Sequence, residues 1–323
     1  MIRNEIKIGK LTAGNRLVMP PMATAKTAAG HVTDELVEYY RDRAVYSHPG
    51  IIITEHSCIA PDGRAHASMM LICDDGMIEE HRRLTDAIHE GGCLAFVQVN
   101  HAGSNGMDEP VSASDVPLPL KPDNKPPRPL TVEEIRAMEK VYAAAAVRAV
   151  KAGYDGVEIH CAHGYLLNQF YSPLTNKRTD AYGGELENRM RFLLETVAAV
   201  REAIGPDVPL AVRLGGAAYL PGGSTEEDAV EAAKLLEKAG VDLLDLSGGM
   251  CFYTRPDHKE PGYFSSMTEK IKKAVSVPVM LTGGVRTLAD AERLLQEGKA
   301  DLIGVGRSLL KDAHWLEKQS MSD

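Results

Sequence analysis

The chain has 323 residues, of which 44% are hydrophobic and 25% are charged, so it can bury a large core as an ordinary globular protein does. Its formal net charge of −9 disfavours a nucleic-acid partner, because an acidic surface repels phosphate backbones. No apolar run approaches the roughly 18 residues that a membrane helix needs, and the first residues lack an apolar signal core. We therefore expect a cytoplasmic protein without a membrane partner.

The predicted elements begin with a hairpin. Residues 5–15, EIKIGKLTAGN, have the pattern of a hairpin that could plug the floor of a barrel. Eight predicted strands follow, and several are continuous apolar runs, which are typical of parallel strands covered on both faces. The strands are Arg16–Pro20, Gly50–Thr54, Leu94–Asn100, Gly156–His160, Leu210–Leu214, Leu243–Leu246, Val279–Thr282 and Leu302–Val305.

Helical stretches follow these strands along the chain. The sequences that begin at Thr131 and Ser224 have the pattern of capping boxes, and Gly240 is placed to end the second of these helices. Eight β-then-α units favour a closed (β/α)8 TIM barrel over a doubly wound sheet. We predict one α/β domain over residues 1–323, with the N-terminal hairpin attached.

The segment 105–129 interrupts this alternation. It is rich in Pro, Ser and Asp and contains LPLKPDNKPPRP, so we predict no regular element there. It follows the third strand, and two interpretations remain open. It is either a long loop over the mouth of the barrel or a plain surface excursion.

Polar and ionisable residues follow the predicted strands at the barrel end where TIM-barrel chemistry collects. Gly283, Gly284, Gly306 and Arg307 follow the last two strands, where barrels often bind a phosphate, because glycine amides and an arginine can face an anion. The alternative is that these glycines only make tight turns.

His160 and His163 follow the fourth predicted strand and allow three interpretations. They could belong to a metal site with His56, His101 or Glu158, although metal sites need three or four ligands. They could be a structural pair, or they could donate hydrogen bonds to a substrate oxygen. The five cysteines are odd in number and form no Cys-x-x-Cys, which argues against a disulfide framework, a zinc knuckle or an iron–sulfur cluster.

One long motif resembles a known family. Residues 160–190, HCAHGYLLNQFYSPLTNKRTDAYGGELENRM, are very similar to the signature of the Old Yellow Enzyme family, also called NADH:flavin oxidoreductases. NRLVMPPMAT at the first strand, VQVNHAG at the third and ADLIGVGRSLLKD at the eighth are similar to the family as well. The resemblance covers nearly the whole chain, and no GxGxxG follows a predicted strand.

The resemblance implies an ene-reductase that holds FMN at the barrel mouth. The phosphate would lie on the glycines and Arg307 named above. Arg213 matches the arginine beside the N1/C2 edge of the flavin, where a cation stabilises the charge of the reduced ring. Gln98 matches the amide on the pyrimidine edge. The residues that match contacts to the ring system are Pro21, Met22, Ala23 and Cys58.

The resemblance also implies the catalytic residues. His160 and His163 match the pair that binds the carbonyl oxygen of a small unsaturated substrate, and Tyr165 matches the proton donor, a role that suits a phenol protonated at pH 7. NADPH or NADH would reduce the flavin in a first half-reaction, and the substrate would accept the hydride in a second. Oligomers are common in the family, so a homo-oligomer stays open.

The chain departs from the family in two places. Ala23 stands where many members have Thr or Cys, and the direction of the neighbouring Thr24 is open. The cysteine cluster of longer relatives such as 2,4-dienoyl-CoA reductases is absent. The loop 248–265, with Cys251 and Tyr253, either shapes substrate choice or is a plain surface loop.

Two alternative functions are a tRNA dihydrouridine synthase and a non-catalytic flavin binder. The net charge and the HxxHGY motif disfavour the first, and the intact His160, His163 and Tyr165 set disfavours the second.

Overall fold

The computed structural model describes residues 1–320, and its centre is a closed barrel of eight parallel strands. Closure comes from parallel pairing of the last barrel strand with the first, in which Ile303 lies opposite Leu17. The predicted (β/α)8 barrel is therefore confirmed. The strands in the described residues are β1 (Ile6–Ile8), β2 (Leu11–Ala13), β3 (Leu17–Met19), β4 (Ile51–Cys58), β5 (Leu94–Asn100), β6 (Val111–Ser112), β7 (Arg128–Pro129), β8 (Gly156–Cys161), β9 (Leu210–Ala217), β10 (Leu243–Gly248), β11 (Val279–Thr282) and β12 (Leu302–Gly304).

The N-terminal hairpin closes the barrel floor. Strands β1 and β2 pair antiparallel, and their buried residues Ile8 and Ala13 join the apolar residues that the barrel strands turn inward. The inward residues of this cluster include Val18, Ile51 and Phe96. The predicted hairpin and its predicted position are both confirmed. Apolar side chains at the N-terminal strand ends explain why the barrel needs this cover.

Helices surround the barrel and bury its outer face. None of the helices in residues 1–320 has the length and apolar character needed to cross a membrane. They are α1 (Asp34–Ser47), α2 (Ile78–Glu90), α3 (Val132–Lys151), α4 (Leu166–Tyr171), α5 (Leu186–Ile204), α6 (Glu226–Lys238), α7 (Ser265–Lys272), α8 (Leu288–Gln296), α9 (Arg307–Lys311) and α10 (Trp315–Ser320).

Helix α3 begins with the predicted capping box at Thr131, but the prediction for α6 is wrong by one residue. The N-cap is Thr225, whose hydroxyl accepts the N–H of Asp228 while the Asp228 carboxylate accepts the N–H of Thr225. The carbonyl of Ser224 instead accepts the N–H of Ala218 and so belongs to the loop that returns to β9. The predicted end of α6 is confirmed, because Gly240 follows it with a φ of 89°.

The segment 105–129 packs beside the mouth of the barrel. The prediction that it contains no regular element is wrong at two points, since β6 and β7 pair in parallel. Leu118 is buried against Ala218 and Met250. A Cβ built at Gly164 would lie 3.3 Å from the Leu118 side chain, so the segment supports the turn that carries His163 and Tyr165. It does not itself line the cavity described below.

Candidate active site

A cavity of about 820 Å³ opens at the C-terminal ends of the barrel strands. The residues predicted to bind the flavin ring, to bind the phosphate and to act in catalysis all contribute to its lining, although they lie far apart in the chain. The predicted residues that line it are Pro21, Met22, Ala23, Gln98, His160, His163, Tyr165, Arg213, Gly283, Gly284, Gly306 and Arg307.

Cys58 is the predicted site residue that does not line this cavity. Its backbone N–H donates to the carbonyl of Met70 and its carbonyl accepts the N–H of Ile72, so it is joined to the loop after β4. Its thiol donates to the carbonyl of Ala60 at 2.9 Å, and apolar neighbours such as Met69 surround it. Burial raises the pKa of this thiol to about 12. The structure therefore assigns Cys58 to the packing of this loop.

The two histidines and Tyr165 form one aromatic cluster at the end of β8. The ring centroids of His160 and His163 are 5.1 Å apart, and those of His160 and Tyr165 are 5.0 Å apart. His163 has a φ of 58° and Gly164 a φ of 70°, which is the left-handed region that residues other than glycine seldom adopt. These two residues turn the chain back so that His163 and Tyr165 both face the cavity.

Both imidazoles of the pair are neutral at physiological pH. Burial, the neighbouring histidines and the Arg213 cation lower the pKa of His160, and burial with Arg213 lowers that of His163. Nε2 of His163 lies 2.8 Å from the Ser247 hydroxyl, whereas Nδ1 of His160 is buried without a partner. A buried unpaired nitrogen is costly, so His160 is poised to bind a ligand atom. Within residues 1–320, no group of three or more His, Cys, Asp or Glu residues is arranged to hold a metal ion.

Tyr165 is protonated over the whole physiological range. Burial, together with Tyr253, raises its pKa to about 12, so its hydroxyl is a weak acid. His56 lies beside it, with ring centroids 5.3 Å apart. Burial lowers the pKa of His56 to about 3, and its Nδ1 lies 3.1 Å from the amide nitrogen of Asn100. The phenol thus stands among neutral groups.

A buried polar network supports Arg213 from behind. Its Nε lies 3.0 Å from Oδ2 of Asp245, whose other oxygen accepts the Thr282 hydroxyl at 3.0 Å. Gln98 donates its amide to Glu158 at 2.8 Å. Burial and the Asp245 charge raise the pKa of Glu158 well above its usual range, so we assign Glu158 as the neutral acid and Asp245 as the counterion.

Ala23 lines the cavity, and Thr24 is turned away from it. The Thr24 hydroxyl donates to Oε1 of Glu55 at 2.7 Å, and its N–H donates to Oε2 at 3.0 Å. Thr24 therefore cannot replace the side-chain donor that Ala23 lacks. Burial raises the pKa of Glu55 to about 7, although both bonds from Thr24 favour the charged form.

Several lining residues received no role from the sequence. His56 enters the sequence analysis only as a candidate metal ligand and Tyr253 only as a residue of the loop 248–265, and nothing in one sequence separates them from their neighbours. The additional lining residues include His56, Ser247, Tyr253, Tyr263, Arg286 and Lys311. For Lys311 a signal existed, because it follows Arg307 by four residues and so shares its helix face.

Residues 4–321 match the family described as the NADH:flavin oxidoreductase / NADH oxidase family. The chain belongs to this family. It is 40% identical over 327 residues to an NADH oxidase from Thermoanaerobacter brockii, covering 98% of this chain and 50% of that protein. It is 41% identical over 322 residues to a metal reductase from Desulforamulus reducens, covering 98% of this chain and 48% of that protein. The chain thus spans about half the length of the curated relatives it matches.

Solved structures support the same assignment. A complex of 2-naphthoyl-CoA reductase with 2-naphthoyl-CoA superposes with a TM-score of 0.93 at 29% identity, covering 99% of this chain and 52% of that chain. An Old Yellow Enzyme homologue from Zymomonas mobilis gives a TM-score of 0.86 at 30% identity, covering 99% and 92%. Morphinone reductase in complex with tetrahydroNAD gives 0.86 at 27%, covering 99% and 90%. The resemblance inferred from the sequence motifs is confirmed.

Proposed function

We propose that the chain is an FMN-dependent ene-reductase, reduced by NADH or NADPH, that reduces an activated C=C bond in a small unsaturated carbonyl compound. The observation that carries the proposal is the cluster of two neutral imidazoles and one protonated phenol in a single cavity of about 820 Å³. Family membership supports a flavin and a nicotinamide reductant. The relative that binds 2-naphthoyl-CoA adds unsaturated thioesters to the candidate substrates.

The residues present fit a bound FMN. Gly306 leaves room at the phosphate end, because a Cβ there would lie 3.2 Å from the sulfur of Met22, and Arg307 supplies a cation. Arg213 and Gln98 offer a guanidinium and an amide for the flavin edge, both held from behind by buried carboxyls. When bound, FMN would carry two electrons from the nicotinamide to the alkene.

The histidine pair would bind and polarise the substrate carbonyl. A neutral imidazole donates one N–H, and Ser247 beside His163 fixes the direction of the second ring. Donors aimed at the carbonyl oxygen draw electrons from the conjugated bond and make its β-carbon electrophilic. Because the pKa of each ring is low, the pair stays neutral and does not transfer its own proton.

Tyr165 would deliver the proton to the α-carbon. Its ring is 5.0 Å from His160, so a substrate held by the histidines lies within its reach. A pKa of about 12 keeps the proton on the phenol until the α-carbon becomes basic.

The test separates the two half-reactions by stopped-flow absorbance. In Y165F we expect flavin reduction by NADH or NADPH to stay within about twofold of the wild type, while reoxidation by 2-cyclohexenone slows about 100-fold or more, the usual size of a general-acid contribution. The control is Y46F, because Tyr46 stacks on His314 outside the cavity. Equal reoxidation rates in Y165F and Y46F would refute the donor role. A yellow protein that no enone reoxidises would indicate a flavin binder without this activity.

A further inference from the structure

The outer part of the cavity carries three cations that have no charged partner. They are Arg286 after β11 and Arg307 and Lys311 on α9, and none of them forms an ion pair with a residue that the structure describes. No Asp or Glu lines the cavity within residues 1–320. In a chain with 45 acidic and 36 basic Lys and Arg residues, this local excess of positive charge is not an average property of the surface.

The arrangement has a structural cost. Arg307 and Lys311 are four residues apart on one face of α9, and like charges at this spacing destabilise a helix. Arg286 lines the same cavity from the loop after β11, so the three cations converge on it from two different segments of the chain. Convergent cations that repel one another indicate an anionic ligand.

One FMN phosphate accounts for only part of this charge. A phosphate monoester carries about −1.5 to −2 at pH 7, and the glycine amides with Arg307 already supply its donors in the proposed function. Arg213 is paired with Asp245, and in the proposed function it would hold the ring edge of the flavin and not its phosphate. Arg286 and Lys311 therefore remain without an assigned anion.

We propose that Arg286 and Lys311 form a second phosphate subsite, which holds the phosphate groups of a nucleotide tail on a reactant that enters over the flavin. This inference rests on the proposed function and names a recognition element within it. The shared chemistry is a phosphate or pyrophosphate tail, and it has two sources, the nicotinamide dinucleotide or a CoA thioester substrate. Both tails are anions that two convergent cations can bind.

The experiment compares reactants with and without a phosphate tail, using the holoenzyme at matched flavin content. The reductant arm compares NADH with 1-benzyl-1,4-dihydronicotinamide, and the substrate arm compares crotonyl-CoA with 2-cyclohexenone. The variant is R286Q/K311Q, and the control is K238Q, which removes an exposed cation at the C-terminal end of α6, outside the cavity. Calorimetric titration with ADP-ribose and with free CoA measures binding without turnover.

In each arm the KM of the reactant with a phosphate tail is divided by the KM of the reactant without one. We expect this ratio to be about tenfold or more higher in R286Q/K311Q than in the wild type in one arm, since a charge-assisted hydrogen bond contributes about that factor. The affinity for the matching nucleotide should fall by a similar factor and depend less on salt. A rise in the NADH arm identifies the reductant as the source, and a rise in the crotonyl-CoA arm identifies the substrate.

Unchanged ratios in both arms, with unchanged ADP-ribose and CoA affinities, would overturn the subsite. A loss of FMN affinity with both ratios unchanged would overturn it too, because the cations would then serve only the flavin phosphate. If the wild type is reduced by neither nicotinamide, the proposed function fails. The two titrations still decide the subsite in that case, because they do not need turnover.

Discussion

Two buried carboxyls of one network should respond very differently to neutralisation. Asp245 and Glu158 are both fully buried, yet D245N should be far more damaging than E158Q. Asp245 lies 3.0 Å from Nε of Arg213, and unit charges at that distance attract by about 5.5 kcal/mol at an effective dielectric of about 20. Removing one partner of such a pair leaves the other charge buried and typically costs about 3–5 kcal/mol.

Glu158 is already the neutral member of the network. Its pKa is raised by burial and by the Asp245 charge, so Gln at this position reproduces its charge and shape. The bond from Gln98 to Oε1, 2.8 Å long, can persist. We expect E158Q to change the free energy of unfolding by about 1 kcal/mol or less. Because the folded pKa exceeds the unfolded one, wild-type stability from this group falls as pH rises above the unfolded value, and E158Q should remove that slope.

Guanidinium unfolding followed by fluorescence measures both effects. D86N is the matched control, because Asp86 is exposed on α2 and such substitutions usually stay within about 0.5 kcal/mol. If D245N does not fold, the double variant R213M/D245L should recover stability, since it leaves no lone buried charge. An E158Q protein as unstable as D245N would mean that Glu158 is ionised, and the charge assignment of the network would be wrong.

Three further predictions concern the cavity and its rim. R307Q should weaken FMN binding about tenfold or more in a fluorescence titration, because it removes the cation beside Gly306. Because the pKa of Glu55 is about 7 in the folded protein, the free energy of unfolding of the wild type should fall by about 3 kcal/mol as pH rises from about 4.5 to 7. In E55Q this fall should be absent. A23T should raise the flavin reduction potential in a dye-equilibration assay by adding a donor, whereas T24V should not, because the Thr24 hydroxyl already faces Glu55.

The barrel was predictable because its signals are local and repeated. A strand buried on both faces must be apolar throughout, as Ile51–Ile53 and Leu302–Gly304 are, and that pattern is visible in one sequence. Exact caps were not predictable, since Ser224 and Thr225 can each start a helix by their chemistry. The choice depends on Ala218, whose N–H donates to the Ser224 carbonyl and so commits Ser224 to the loop after β9.

The residues that line the cavity were largely predictable, and the directions of individual side chains were not. Strand ends of a barrel must meet at one rim, so most residues matched through the resemblance do line the cavity. Cys58 also stands at a strand end, but two backbone hydrogen bonds to the following loop commit it to that loop. Thr24 could have faced either way, and the buried Glu55 fixes it by two bonds. Both outcomes depend on the path of the folded chain, which a local sequence pattern does not show.

The carboxyl groups of the site lie behind the cavity wall, whereas imidazoles and cations form the wall itself. Carboxyls such as Glu158 and Asp245 lie one layer behind the surface, where burial either neutralises them or pairs them with Arg213. The lining itself then presents neutral imidazoles and cations. Burial and the Arg213 cation keep the imidazoles of His160 and His163 neutral. In the proposed mechanism each would donate one hydrogen bond, and proton transfer would fall to Tyr165, whose pKa is about 12. Moving a carboxylate into the lining would raise the imidazole pKa values and remove that division of roles.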